Sequence, residues 1–210
     1  MSEHDTLPPT RWALGGPKNA GYGRRFAELI DEGADVHGEA RLADALVPRG
    51  ARILDAGSGM GRVGGYLRAQ GHRVLGAEPD PALVEQSRRT YPDLPVLPLQ
   101  ILELDPAALA AAGAPTEFDL AVAVGNVLPF VAEDTEVAVL TRLRSLLAPG
   151  GRVLVGFHLQ GGPESARRYR PEEFVADAAD AGLAVHHRFG GYDLRPADEE
   201  YVVWLLAPTG

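Results

Sequence analysis

The sequence predicts an open, doubly wound α/β domain: a mostly parallel seven-stranded sheet, helices on both faces, and a terminal antiparallel hairpin. Three observations point there. Short apolar runs alternate with segments of helical period along most of the chain. The runs I-L-D-A, F-D-L-A-V-A-V and R-V-L-V-G-F are apolar on both faces, as strands covered by helices on each side must be. The last two β runs stand only about ten residues apart, too close for a helical crossover. They should therefore pair antiparallel, with one reversed strand at or near the sheet edge.

Residues 1–18 are polar and broken by proline and glycine, which reads as a flexible N-terminal arm. Helices are expected over 22–32, where Phe26, Leu29 and Ile30 share a face, and over 36–46, stopping ahead of Pro48. A strand over 52–56 leads through a glycine-rich turn into a helix over 62–70, closed by Gly71. A second strand, 73–78, precedes Asp80-Pro81, an N-cap with a first-turn proline, and so a helix to residue 90. Strands over 96–98 and 118–124 follow, then a helix over 134–147 joined by Pro149-Gly150-Gly151 to a strand over 152–158. A helix over 171–181 ends at Gly182 and gives way to the closing strands, 183–189 and 200–206. Residues 19–210 thus read as one domain, with no internal repeat or low-complexity tract.

Composition excludes several kinds of chemistry. Acidic residues outnumber basic ones 29 to 20, and the net charge of −9 repels a phosphate backbone, so no nucleic-acid partner is expected. Cysteine is absent, which removes disulfides, zinc-thiolate sites and cysteine nucleophiles. Lys18 is the one lysine, so mechanisms that need two are closed. His186 and His187 are neighbours on one strand and face opposite ways, so no metal site is expected. No apolar run reaches the ~18 residues of a membrane span, and no basic-then-apolar leader opens the chain. A cytoplasmic protein without a membrane partner is the expectation.

The strongest local signal is I-L-D-A-G-S-G-M-G-R, residues 53–62. A buried strand turns through Gly57, Gly59 and Gly61 and opens a helix. Glycine suits a sharp bend lying against a ligand, where a Cβ would intrude. Glu78, at the end of the next strand, faces the crevice beyond the strand ends and suits the two hydroxyls of a ribose. Gly59-x-Gly61-x-x-Gly64 also matches G-x-G-x-x-G, the fingerprint of dinucleotide sites. Two details oppose the rival reading, a NAD-dependent oxidoreductase. Asp55 would meet a pyrophosphate at close range, and Glu78 follows Gly64 by 14 residues, closer than that fingerprint prefers. A ligand carrying an amine would welcome Asp55.

Taken in order, D-A-G-S-G-M-G-R, G-A-E-P-D-P, F-D-L-A-V-A-V-G-N and L-A-P-G-G-R-V-L-V resemble the class I S-adenosylmethionine (SAM)-dependent methyltransferase family. The resemblance runs over roughly residues 51–207 and includes the closing hairpin, which nicotinamide-binding Rossmann domains lack. It implies a Rossmann-like fold, SAM as cofactor, S-adenosylhomocysteine (SAH) as product, and an N-terminal helical lid at about 19–47. By position, Asp55 and the loop Gly57, Ser58, Gly59, Gly61 and Arg62 would hold the methionine end. Glu78 would take the ribose hydroxyls and Pro79 would flank the adenine. Where the family often has an Asp at the adenine amine, this chain has L-P-L-Q-I-L, so Gln100, or the Leu99 and Ile101 backbone, stands in. Gly125 and Asn126 would line the methyl end. Tyr22 and Arg25, on the lid, would reach the SAM carboxylate or the substrate.

Methyl transfer asks chiefly for alignment in a dry pocket, and for a base only where the nucleophile keeps its proton. Absences narrow the acceptor. Members that methylate base amines carry an Asn/Asp-Pro-Pro-aromatic loop after the fourth strand, where this chain has G-N-V-L-P-F. The lysine-rich tetrad of ribose methylation and the cysteine of cytosine C5 chemistry are also missing. A small-molecule acceptor is therefore expected, methylated at oxygen, nitrogen or carbon, by a monomer or homodimer. His158, ending the fifth strand, is the candidate base, with Asn126 beside the methyl. Arg167, Arg168, Arg170, Tyr169 and Tyr192 are candidate substrate contacts, while His37 and Glu39 are expected in a cap or at the surface. A non-catalytic SAM or SAH binder of the same fold is the alternative.

Overall fold

The computed structural model describes residues 7–19 and 21–210, so the first six residues of the expected arm lie outside the described residues. The strands are β1 (Arg52–Ala56), β2 (Arg73–Ala77), β3 (Val96–Leu97), β4 (Phe118–Ala123), β5 (Leu147–His158), β6 (Leu183–Phe189) and β7 (Tyr201–Pro208). They form one sheet in the order β3-β2-β1-β4-β5-β7-β6. The first five run parallel, and β7 alone is reversed, pairing antiparallel with β5 on one side and with the edge strand β6 on the other. The expected hairpin is there.

Helices precede the sheet as α1 (Arg11–Gly15), α2 (Tyr22–Asp31) and α3 (Gly38–Ala45). Between strands lie α4 (Arg62–Ala69), α5 (Pro81–Thr90), α6 (Pro106–Ala111), α7 (Val127–Phe130), α8 (Glu136–Ser145) and α9 (Pro171–Asp180). Side chains alternate through the sheet into two cores. Ile53, Leu120, Val122 and Leu154 meet Ala40, Ala43, Val63 and Leu67 of α3 and α4. Leu54, Ala121, Val153 and Val155 meet Leu140, Leu143, Phe174 and Ala178 of α8 and α9. Both faces of each central strand are thereby dry, which is why those runs show no polar alternation.

The chain builds outward from β1 through β2 to β3, then returns to lay β4 on the opposite flank of β1. That reversal opens a crevice above the carboxyl ends of β1 and β4, the place where open α/β sheets bind ligands. Three short helices depart from the sequence expectation. Asp105-Pro106 starts α6 just as Asp80-Pro81 starts α5, each aspartate accepting an N–H of the first turn at 2.7–2.8 Å. Asn126 opens α7. The arm is corrected most: Thr10 caps α1, accepting the Ala13 N–H at 3.1 Å, and a 3-10 turn over Gly16–Asn19 continues it. No helix among the described residues is long and apolar enough to cross a membrane.

Phe174 joins α9 to the sheet: it is fully buried among Phe157, Tyr169 and Trp204, with ring centroids 5.1–5.4 Å away. Phe174→Ala should lower the free energy of unfolding by about 3–5 kcal/mol in urea titrations.

Candidate active site

At Asp55 the chain leaves β1 and must bend back to begin α4. Gly57, Gly59 and Gly61 take φ of +70°, +56° and +84°, where a side chain would be strained. The loop's N–H groups turn inward. Gly57 and Ser58 donate to the Ala77 carbonyl at 2.8 and 3.0 Å, and Gly61 to the Ser58 carbonyl at 2.9 Å. Gly59 donates to Glu78 Oε2 at 2.9 Å, while Glu78 Oε1 accepts from Asp80 N–H, also at 2.9 Å. Asp55 Oδ2 accepts from Gly64 N–H at 2.8 Å, so a carboxylate already answers the positive end of α4. These N–H groups are spent internally and are not free for a diphosphate, as those of a dinucleotide loop are.

Asp55 and Glu78 are only 3% and 6% exposed. Burial pushes the Asp55 carboxyl up to about 7, against the pull of the Gly64 N–H and Arg62. Burial likewise pushes Glu78 up to about 7; the Asp80 and Gly59 N–H groups oppose it, and the Asp80 and Asp55 charges add to it. Two buried carboxyls that half-ionise near neutrality call for a cation or hydroxyl donors.

Above the loop lies a cavity of about 720 Å³. Asp55, Gly57, Ser58, Gly59, Arg62, Glu78, Pro79, Gln100, Ile101, Gly125, Asn126, Tyr22 and Arg25 all border it; Gly61 and His158 do not. Gly61 is a packing position, since an added Cβ would strike Ser87 and sit 2.9 Å from Leu94. His158 is exposed outside the cavity. Its backbone N–H donates to Asn126 Oδ1 at 2.9 Å, its ring Nδ1 lies 3.2 Å from the same oxygen, and its ring stands edge-on to Tyr201. The imidazole thus braces Asn126 from behind. Asn126 itself holds φ +74°, a left-handed conformation that asparagine tolerates better than most residues.

Other expected contacts are partly committed elsewhere. The Arg62 fork donates to Glu39 at 2.6 and 2.7 Å and to the Val36 carbonyl, clamping α3 to the start of α4. Glu39 is therefore one half of a mostly buried ion pair rather than a surface group. Ser58 Oγ is buried without a hydrogen-bond partner and packs against Gly76, behind the loop. Gln100 borders the cavity where a 3-10 turn, Ile101–Glu103, begins, and its N–H donates to Glu103 at 2.6 Å.

The sequence reading missed the roof. Trp12 of α1 donates its indole N–H to Asp80 at 2.7 Å and stands edge-on to Tyr22 and Phe130, with centroids 5.5 and 5.2 Å away. Phe26, Phe130 and Val131 complete the apolar wall. The capping threonine at residue 10 and a lone tryptophan in a polar arm were the signals available. Among the described residues, no group of three or more histidine and acidic side chains could hold a metal.

Fold and site together define a Rossmann-like protein with two buried carboxylates at the base of a cavity above the switch point of its sheet. Comparison with known proteins agrees. Residues 54–153 match the methyltransferase domain family. A TehB-like SAM-dependent methyltransferase from Corynebacterium glutamicum superposes with a TM-score of 0.78 at 35% identity, over 90% of this chain and 97% of that one. A 1,6-didemethyltoxoflavin-N1-methyltransferase from Burkholderia thailandensis shares the fold, with a TM-score of 0.62 at 21% identity over 100% of this chain and 94% of its own. Carboxy-S-adenosyl-L-methionine synthase from Pseudomonas putida is 31% identical over 135 residues, 60% of this chain and 53% of that protein. The chain spans about half the length of the curated relatives it matches. It belongs to the class I SAM-dependent methyltransferase family, and SAM is the cofactor its site has to hold.

The residues fit that cofactor. An amino group would meet Asp55, ribose hydroxyls would meet the remaining lone pairs of Glu78, and a Cβ on Gly59 would project into the cavity 4.0 Å from Tyr22. Because SAM's ammonium favours ionised Asp55, lowering the pH below about 7 should weaken SAH binding, by up to about tenfold per unit for each proton taken up. Titration calorimetry from pH 5.5 to 8.5 measures this. Asp55→Asn keeps an acceptor for Gly64 but removes the charge. In the free protein Asp55 stays protonated to about 7 against 3.8 when unfolded, so its stabilising effect is lost as pH rises through that interval. Asp55→Asn should accordingly raise the melting temperature at pH 8 while weakening SAH binding.

Proposed function

We propose that this protein transfers a methyl group from SAM to a small-molecule acceptor at oxygen, nitrogen or carbon. The observation that carries the reading is the carboxylate pair Asp55 and Glu78 at the base of a roofed cavity. About 720 Å³ falls within the ~300–1,000 Å³ common for small-molecule sites, and α1 and α2 border the cavity on one side. When bound, SAM supplies a methyl group on a sulfonium, open to in-line displacement. The protein's own contribution is placement. Asp55 would hold the amino group of the cofactor and Glu78 its ribose, Pro79 and Ile101 would flank its base, and Gly125 and Asn126 would line the methyl end. Trp12, Tyr22 and Phe130 keep water from the reacting atoms.

Beyond the carboxylates and α2, the polar side chains bordering the cavity are Thr10, Asn19, Ser58, Arg62, Gln100, Asn126 and Thr135. With His158 outside, the acceptor has to arrive as a competent nucleophile or lose its proton to solvent, and alignment supplies the catalysis. His158 acts by holding Asn126. On this reading His158→Ala lowers turnover only several-fold, whereas Asn126→Ala lowers it further; loss of a bell-shaped pH–rate limb in His158→Ala would restore it as the base.

Glu78→Gln keeps one acceptor for Gly59 and loses the charge, so SAH affinity should fall by about 1.5–3 kcal/mol for each charge-assisted bond lost. Unchanged affinity would remove Glu78 from the ribose site. A methyl-donor consumption screen over small-molecule pools tests the activity; tight SAH binding without any turnover would favour a non-catalytic binder.

A further inference from the structure

Two segments of the cavity roof converge on one buried carboxylate. Glu136 opens α8 beside Thr135 on the cavity wall, and its side chain is 4% exposed. Its Oε1 accepts from Arg11 of α1 at 2.9 Å and from Arg167 of the 159–170 loop at 2.8 Å. The same two residues also donate their backbone N–H groups to α7 and the residue after it, Arg11 to the Val131 carbonyl at 3.4 Å and Arg167 to the Pro129 carbonyl at 2.9 Å. Val131, Thr135 and Pro163 of the loop all border the cavity, so this cluster forms its rim. Two guanidiniums sharing one oxygen would repel each other without the charge between them.

We propose that Glu136 is a positioning residue, a latch that makes α1 and the 159–170 loop close over the cavity as one unit. Its consequence for turnover rests on the SAM reading above; the coupling of the two segments does not. Arg167 adds contacts of its own to Glu173 at 3.3 Å and to the Tyr169 ring at 4.1 Å, so the loop keeps a local fold when the latch is broken. A direct route competes with the latch, because Ser165 of the loop lies beside Gly15 of α1. Glu136 belongs to neither segment, and that separates the two routes.

The experiment is hydrogen exchange on the full chain, free and SAH-bound, for wild type, Glu136→Gln and Arg167→Ala. The latch requires Glu136→Gln to accelerate exchange of residues 11–15 and 159–170 together, roughly tenfold or more, with β1 and β4 unchanged. Arg167→Ala should also accelerate 11–15, although its bonds run to Glu136, Glu173, Asp177 and Pro129 and not to α1. Trp12 fluorescence should report SAH leaving Glu136→Gln about tenfold faster, an effect that mere loss of global stability would not produce. Release of one segment alone, or an unchanged SAH off-rate in a variant that still binds it, overturns the latch. Coupled exchange in a wild-type protein that binds no SAH would uphold the latch and remove the SAM reading.

Discussion

Asp55 and Glu78 stand at the ends of adjacent parallel strands, where a sheet covered on both faces ordinarily buries apolar groups. Each receives one or two backbone N–H groups and no cation of its own, the nearby Arg62 being taken by Glu39. Burial without full pairing lifts both carboxyls toward neutrality. The free protein therefore carries an unfavourable arrangement that a cationic, hydroxyl-bearing ligand would relieve. The glycine loop, the switch point between β1 and β4, and the clamp of α3 on α4 all serve to keep those two groups in place.

The same arrangement explains why a sequence containing G-x-G-x-x-G is not a dinucleotide site. In a dinucleotide loop, glycines bring free N–H groups to a phosphate. Here the glycines let the backbone fold onto Glu78 and the Ala77 carbonyl, so the loop organises a carboxylate instead of an anion pocket. Gly64, which looked like the third glycine of the fingerprint, lies where a Cβ would come within 2.9 Å of Asp55. One string of glycines thus serves two opposite electrostatic designs, and the acid at the strand end decides between them.

What could be read from the chain follows from the range of the interactions involved. Strand periodicity, the Asp80-Pro81 cap and the glycine stops are local, and each predicted strand and long helix is found with ends shifted by a few residues, the largest shift being β5, which begins at Leu147. The same cap grammar at Asp105-Pro106 went unused because α6 is only six residues long, too short for an apolar period. The carboxylates and their loop were legible because they follow one another along the chain. The roof was not. Trp12 meets Asp80 across 68 residues, and Arg11 meets Glu136 across 125, contacts that no local pattern encodes. That His158 lies outside the cavity lining was not legible for a related reason: a strand end fixes where a backbone stops, not whether its side chain turns into the crevice or away from it.

Alignment catalysis makes a demand that the roof has to reconcile with turnover. Water must be excluded while the methyl moves, yet product cofactor has to leave each cycle. A roof buried like a second core would hold too long, since each large apolar side chain adds about 1.5–3 kcal/mol of burial. This roof instead combines edge-on aromatic contacts with a few long-range polar ties at its rim, Trp12 to Asp80 and Arg11 and Arg167 to Glu136. Such ties are directional and few, so they define one closed geometry without a large area to separate. The sheet carries the two buried carboxylates, and the roof above them is held by segments that meet through a few directional contacts.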